Sequence, residues 1–373
     1  MFKKLLFGVI LCFLLSYIFS GCNKNIEVQN ESDSYKTVKD MWDREVLIKR
    51  DVKSAVIMEW EGLATKSMKI FGLEENIVGV DNYAKKNTFR NEIAPVLKDI
   101  PDIGSAWTGV NYETLAKLNP DVVFMELWVT NESEKDLHAD AIDKIESLGI
   151  PVIAFVSPSC YETPDIETAW RHISIVGEVF NKQKEAKKLI DSLNDKIEFI
   201  RERTKDIPED EKANVVIFAT SNYVMGKKSI QSYFLTEIIN ANNLVLSGDF
   251  VKISEEQLLN FDPEVLIVTG HDGYLDPSII FNGEQCGINW GNVQDLSAIK
   301  NNRVVSLGYE EWRATIETPI ALLKMAKAIY PEKFEDIDID TEELKMYMED
   351  YNLSKEEALR VIEAQKYTAS LGS

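Results

Sequence analysis

Glu113 opens the stretch "ETLAKLNPDVVFM" (113–125), and Glu256 opens "EQLLNFDPEVLIV" (256–268). Position by position, Leu115 answers to Leu258, Leu118 to Phe261, Asn119 to Asp262, Pro120 to Pro263 and Asp121 to Glu264. Each stretch reads as a short helix with an apolar pair at i and i+3, an Asn-Pro or Asp-Pro stop, and a buried strand. Asn111 and Ser254 are suited to cap the two helices, and Ser254 with Gln257 has the spacing of a capping box. Solenoid repeats are far shorter than this separation, so the duplication argues for two similar α/β lobes.

The flanking sequence extends that plan. In the first half "SAVIM" (54–58), "IVGV" (77–80), "VVFM" (122–125) and "PVIAFV" (151–156) are short strands separated by helical stretches. In the second, "NVVIFAT" (214–220), "VLIVT" (265–269) and "RVVSLG" (303–308) repeat the alternation. Strands alternating with helices imply parallel sheets covered on both faces. Residues 166–205 keep helical spacing of apolar positions without a proline, and predict one long connecting helix with Asn181 as its weakest point.

At the N-terminus, Lys3 and Lys4 precede an apolar run from Leu5 to Phe19 that stops at Ser20-Gly21-Cys22. The run is shorter than a spanning helix needs and reads as an export signal. Cys22 sits where a bacterial lipobox places the cysteine that is cut free and lipidated, and Asn23 to Lys36 carries almost no core-forming residues, as a tether would. The expected organisation is a lipoprotein signal (1–21), a flexible tether (22–36), an N-terminal α/β lobe (37–165), a connecting helix (166–205), a C-terminal α/β lobe (206–330) and a helical extension (331–373). In that extension "DIDIDTEE" (336–343) lacks the glycine and the bidentate glutamate of a calcium loop, and helices are expected over 342–350 and 354–365.

The chain carries 62 acidic against 41 basic residues, a net charge of −21, with no basic block, so nucleic acid is not an expected partner. Beyond Cys12 and Cys22 only Cys160 and Cys286 remain, too few for a disulfide scaffold.

Residues 37–334 resemble the solute-binding proteins of iron-siderophore, haem and cobalamin ABC importers. The resemblance rests on "TVKDMWDREVLIKRDVKSAVIM" (37–58), "IGSAWTGVNYETLAKLNPDVVFM" (103–125) and its counterpart "VKISEEQLLNFDPEVLIV" (251–268). "LSAIKNNRVVSLG" (296–308), Trp312 and "MAKAIYPEKF" (325–334) complete it. It implies two Rossmann-like lobes joined by a rigid helix, a ligand cleft between them, and delivery to a membrane permease with its ATPase by a monomeric protein held at the membrane by a lipid on Cys22. No cofactor and no resident metal is expected; the ligand is a metal chelate, a ferric siderophore first, with haem or a corrinoid as the alternatives.

In the resembling family one glutamate per lobe, at the motif positions of Glu113 and Glu256, meets basic residues of the permease. The local alternative is a carboxylate stabilised by the helix dipole. Loops at the strand C-termini should form the cleft, which selects Trp60, Trp128, Tyr161, Tyr223, His271, Tyr274, Trp312 and Arg313. Aromatic residues after so many strands suit a large planar or hydrophobic chelate. Arg313 reads either as a partner for an anionic chelate oxygen or as an ordinary salt bridge. His271 reads as a polar-loop histidine, and His138 and His172 receive no role. A chelatase-type enzyme and a haem or corrinoid sensor are the competing classes, although the sequence has no nucleophile elbow, no HExxH and no phosphate loop.

Overall fold

A computed structural model describes residues 34–161, 163–219, 222–271 and 273–366. The signal segment, Cys22 and the tether as far as residue 33 lie outside the described residues. Strand β1 (Tyr35–Lys39) pairs antiparallel with β2 (Glu45–Lys49). Tyr35 and Lys36, expected in the tether, therefore belong to the folded lobe, and Lys36 Nζ donates to Asn181 Oδ1 at 2.7 Å.

The first sheet holds β3 (Ala55–Met58), β4 (Ile77–Val80), β5 (Val122–Leu127) and β6 (Val152–Val156) in the order β4-β3-β5-β6, all parallel. The second holds β7 (Asn214–Ala219), β8 (Tyr223–Met225), β9 (Phe250–Lys252), β10 (Val265–Val268) and β11 (Val304–Ser306) in the order β9-β8-β7-β10-β11, with the short strand Asn242–Asn243 pairing parallel to β7 off that path. Its β7, β10 and β11 are parallel, but β8 and β9 fold back as an antiparallel edge that the alternation of strands and helices did not foretell.

Helices α1 (Leu63–Ile70), α2 (Thr88–Ile93), α3 (Tyr112–Leu118) and α4 (Glu132–Glu146) belong to the first lobe. The segment expected as one connecting helix is two, α5 (Glu167–Val179) and α6 (Gln183–Thr204). Asn181 breaks them, adopting φ 58 while Lys182 N–H donates back to Gly177 O at 2.6 Å, a left-handed helix stop. The two helices pack as a hairpin, tied by Trp170 Nε1–H to Asn194 Oδ1 at 2.8 Å. A Cβ on Gly177 would fall 2.6 Å from Ala186 Cβ, so glycine permits their close approach. α5 packs on α1 in the first lobe, whereas α6 reaches α8 (Thr318–Ile329) of the second, beyond α7 (Glu255–Phe261) in the chain. Helices α9 (Ile339–Asp350) and α10 (Lys355–Gln365) close the described chain.

The internal repeat is structural as well as textual. Asn111 Oδ1 caps α3 by accepting from Thr114 N–H, and Ser254 caps α7 in a complete capping box with Gln257. Both helices end on a left-handed residue, Asn119 at φ 44 and Asp262 at φ 38. Leu115 and Leu258 are fully buried beneath them. The acid that follows the proline has the same task twice. Asp121 accepts from Lys53 and Ser54 N–H, and Glu264 from Asn214 N–H, so each pins the strand start beside its own.

No helix of the described residues is long and apolar enough to cross a membrane. One apolar core runs from the first lobe through α5 and α6 into the second and under α9 and α10.

His172 on α5 is embedded in that core. Its Nε2 lies 2.9 Å from Val156 O, its ring stacks on Phe155 at 4.5 Å, and its Nδ1 has no hydrogen-bond partner among the described residues. Burial pushes its pKa down to about 4. Between pH 6.5 and 4 the unfolded chain takes up a proton there and the folded chain does not, so stability falls as pH falls through that window and is retained above it. The loss amounts to roughly 3 kcal/mol at 1.36 kcal/mol per unit. Urea unfolding followed at pH 7 and pH 4.5 should show a smaller pH-dependent loss for His172→Gln than for the wild type. An equal loss in both would mean that His172 is not the group responsible.

Candidate ligand cleft

The C-terminal ends of the strands open onto a cleft of about 800 Å³ between the lobes. The turn after β3 supplies Glu59 and Trp60, the short helix after β4 (Asn82–Lys86, capped by Asp81) supplies Asp81, Tyr83 and Lys86, and the hairpin at 104–110 supplies Trp107. The end of β5 supplies Glu126 and Trp128, and α4 adds Glu134 and His138. The second lobe contributes His271, Tyr309 and Trp312.

The floor is a buried ionic network that joins the lobes. Lys66 of α1, fully buried, places Nζ 2.7 Å from Glu317 Oε2 and 3.1 Å from Glu310 Oε2. Asn87 Nδ2–H donates to Glu310 Oε1 at 2.6 Å, and Arg90 lies 3.5 Å from the other oxygen. Burial alone would raise the Glu310 carboxyl, but Arg90, Lys66 and Arg313 together hold it down at about 2. Glu317 also accepts from Thr315 Oγ1 at 2.7 Å and from Tyr351 OH at 2.5 Å. Removing one partner of such a pair strands the other charge in the interior, at a cost of about 3–5 kcal/mol.

Above this floor the aromatic walls are held by their backbones. Trp60 N–H donates to Glu126 Oε2 at 2.7 Å, while Trp60 O accepts from Arg313 Nη1 at 2.9 Å and also from Arg90. Gly62 makes that approach possible. It adopts φ 79, and a Cβ there would lie 2.5 Å from Arg90 Nε. Trp60 and Tyr83 rings lie 4.0 Å apart. His138 accepts from Trp128 N–H through Nε2 at 3.2 Å and meets Trp107 edge-on at 5.3 Å, so it orients both tryptophans. Burial lowers its pKa and keeps it a neutral acceptor.

Of the residues selected from sequence, Trp60, Trp128, His271 and Trp312 line the cleft. Arg313 does not line it. Its side chain is buried beneath the rings, donating to Trp60 O and to Tyr83 OH at 2.5 Å, with the guanidinium 4.8 Å from the Trp60 and Trp312 ring centres. Arg313 thus acts on the walls and offers no open fork to an anion.

Tyr223 stands on β8, because the chain after β7 turns back as a strand. It stacks on Phe250 at 4.5 Å, in a row that continues through His271 to Trp312. Tyr161 lies outside the cleft lining, where partial burial pushes the pKa of its hydroxyl up. Tyr274 borders a separate cavity with Lys324 and Glu343 beside α10. Glu113 and Glu256 occupy matching first turns, both exposed and neither in the cleft, with Glu113 2.7 Å from Lys117.

The structure adds Tyr83, Trp107, Glu126, His138 and Tyr309. Tyr83 follows a strand by the same rule that selected Trp60. Glu126 had its own signal, a carboxylate inside the fully buried run "VVFMEL" (122–127). Trp107 sits on a hairpin between elements, where that rule does not look.

Residues 61–310 match the family described as periplasmic binding protein. Among curated relatives, the molybdate-binding protein MolA of Haemophilus influenzae is 26% identical, covering 93% of this chain and 96% of its own. The ABC transporter substrate-binding lipoprotein YvrC of Bacillus subtilis, itself uncharacterized, is 22% identical over 87% of this chain and 96% of its own. The ferric-anguibactin-binding protein FatB of Vibrio anguillarum is 21% identical over 58% of this chain and 64% of its own. A periplasmic solute-binding protein from Veillonella parvula superposes with a TM-score of 0.72 at 23% identity, over 89% of this chain and 98% of its own, which speaks to fold alone. With two duplicated lobes facing one cleft and the family match spanning most of both, this chain belongs to the periplasmic binding protein family.

Proposed function

We propose that this protein captures a bulky metal chelate of low net charge outside the cytoplasm and hands it to the permease and ATPase of an ABC importer. A ferric siderophore is the first choice, with haem or a corrinoid as the other members of the class. The observation that carries this reading is the cleft, about 800 Å³ walled by Trp60, Tyr83, Trp107, Trp128 and Trp312. Its size suits a drug-sized ligand, and its rings suit flat apolar faces. Its lining sets Glu59 and Glu134 against Lys86, while burial pushes Asp81 and Glu126 toward their neutral forms. A strongly anionic catecholate complex meets repulsion there, whereas a neutral hydroxamate core does not.

Two competitors are weaker. MolA is named for molybdate, but an oxyanion needs donors that face it, and Arg90 and Arg313 are both buried beneath the cleft and line none of it. A bare cation needs a compact ligand set, and among the described residues no group of three or more His, Cys, Asp or Glu is placed to hold one. FatB, named for a ferric siderophore, supports the chelate class.

Tryptophan fluorescence tests the reading. Ferric hydroxamates, ferric catecholates, haem and cobalamin are titrated into the folded protein beside molybdate and free metal ions, and at least one chelate should quench at micromolar concentration. Binding of molybdate or a free ion with no response to any chelate would overturn it.

Glu113 and Glu256 act, on this reading, as docking points for basic residues of the permease. Their exposed positions outside the cleft support a role in transfer and not in capture. Reversing both to Lys should leave chelate affinity within about twofold and abolish uptake in cells. A collapse of affinity would place them in the binding machinery and end the docking assignment.

Cys22 completes the scheme as the lipid attachment point. A clickable fatty acid supplied to growing cells should label the wild type and not Cys22→Ala. Equal labelling of the two would rule the anchor out.

A further inference from the structure

Among the carboxylates that line the cleft, Glu59 accepts from Ala64 and Thr65 N–H, Asp81 from Ala84 N–H, and Glu134 from the Thr130 N–H and hydroxyl. Glu126 differs. Its Oε2 accepts from Trp60 and Glu61 N–H at 2.7 and 2.8 Å, but its Oε1 is buried with no hydrogen-bond partner among the described residues. The residue is only 9% exposed and stands at the cleft lining between Met125 and Trp128.

The groups packed around it do not supply the missing partner. Glu61 carries the same kind of charge, and its own Oε2 lacks a hydrogen bond and lies 3.9 Å from Arg313 Nη1. Arg313 directs Nη1 and Nη2 to Trp60 O and Tyr83 OH, and Arg90 directs its own to the carbonyls of Glu59 and Trp60; the Nε of each is itself without a partner among the described residues. Burial, and then the like charge of Glu61, push the Glu126 carboxyl well above the usual carboxylate range. A buried carboxyl oxygen without a hydrogen-bond partner is costly, and an ammonium arriving beside it would donate to that oxygen as the carboxyl gives up its proton to solvent. The neighbouring indoles of Trp60 and Trp128 also favour a cation over a neutral group.

We propose that Glu126 is a specificity-determining residue, whose Oε1 receives a primary ammonium group carried by the ligand. The preferred substrate class is then a neutral metal-chelate core with one pendant cationic amine. This rests on the metal-chelate reading of the cleft and narrows it.

Ferrioxamine B, a ferric trihydroxamate with one terminal ammonium, and its N-acetyl derivative, the same core without the charge, make the test. Both are titrated into wild-type protein and Glu126→Gln by tryptophan quenching. The wild type should bind ferrioxamine B at least tenfold more tightly than the acetylated form, and Glu126→Gln should narrow that ratio to within about twofold. Glutamine keeps an amide oxygen for the Trp60 and Glu61 N–H groups. The chelate pair, moreover, reads the charge without altering the protein, so the result does not hinge on that variant folding. Equal wild-type affinity for the two chelates overturns the inference, as does an equal loss for both in Glu126→Gln. If neither chelate binds, the inference falls. The broader chelate reading falls with it only if ferric catecholates, haem and cobalamin fail as well.

Discussion

Lys66 sits without solvent contact between two carboxylates of the opposite lobe, Glu310 and Glu317, and the geometry of the cleft depends on that placement. A buried ion pair is seldom a net source of stability, because desolvation consumes most of the Coulombic gain. What it provides is direction. An apolar contact between lobes tolerates sliding, whereas an ammonium shared by two carboxylates fixes where α1 lies relative to the segment from Tyr309 to Glu317. Trp60 stands in the turn that leads into α1 and Trp312 on the other segment, so the distance between the cleft walls is set by charges lying beneath them.

The C-terminal helices belong to the same device. Tyr351 of the extension donates to Glu317, and Gln365 accepts from Glu310 N–H while its amide donates to Tyr347 OH. α10 packs on α2 of the first lobe, where Arg360 lies 3.5 Å from Glu92, and Tyr347 of α9 meets Phe89 of α2 edge-on at 6.2 Å. The lobes are thus bridged twice, by α6 and by the extension. Residues 331–366 complete the cleft floor, a role their sequence gave no hint of.

The elements readable from sequence were those whose cause is local. The two caps, the Asn-Pro and Asp-Pro stops and the buried strands follow from short-range stereochemistry, so the duplicated lobes and the positions of Trp60, Trp128 and Trp312 could be read directly. The break at Asn181 was visible as a weak point, but its consequence was not, because the hairpin depends on Gly177 meeting Ala186. The return of β8 onto β7 removed Tyr223 from the cleft by the same kind of long-range pairing. Arg313 was misread for a related reason. Its partners, Trp60 O and Tyr83 OH, lie more than two hundred residues away in the chain, and no pattern around "EEWRAT" (310–315) announces them.

The network also bears on how a ligand could leave. Lys66, Arg90 and Arg313 stand against Glu59, Glu61, Asp81, Glu126, Glu310 and Glu317, and the interlobe pairs among them are formed with the cleft open to solvent. A ligand entering such a cleft meets walls already in place, so little of its binding energy is diverted to ordering the protein. The same preorganisation opposes parting the lobes, since Lys66 and its carboxylates would give up each other's charge and regain water only as they separate. On the proposed reading, a release step that parts the lobes is driven from outside the cleft, through contacts on both lobes. Two exposed acidic helix starts, one on each lobe at the same step of a duplicated motif, are a geometry on which such a force can act.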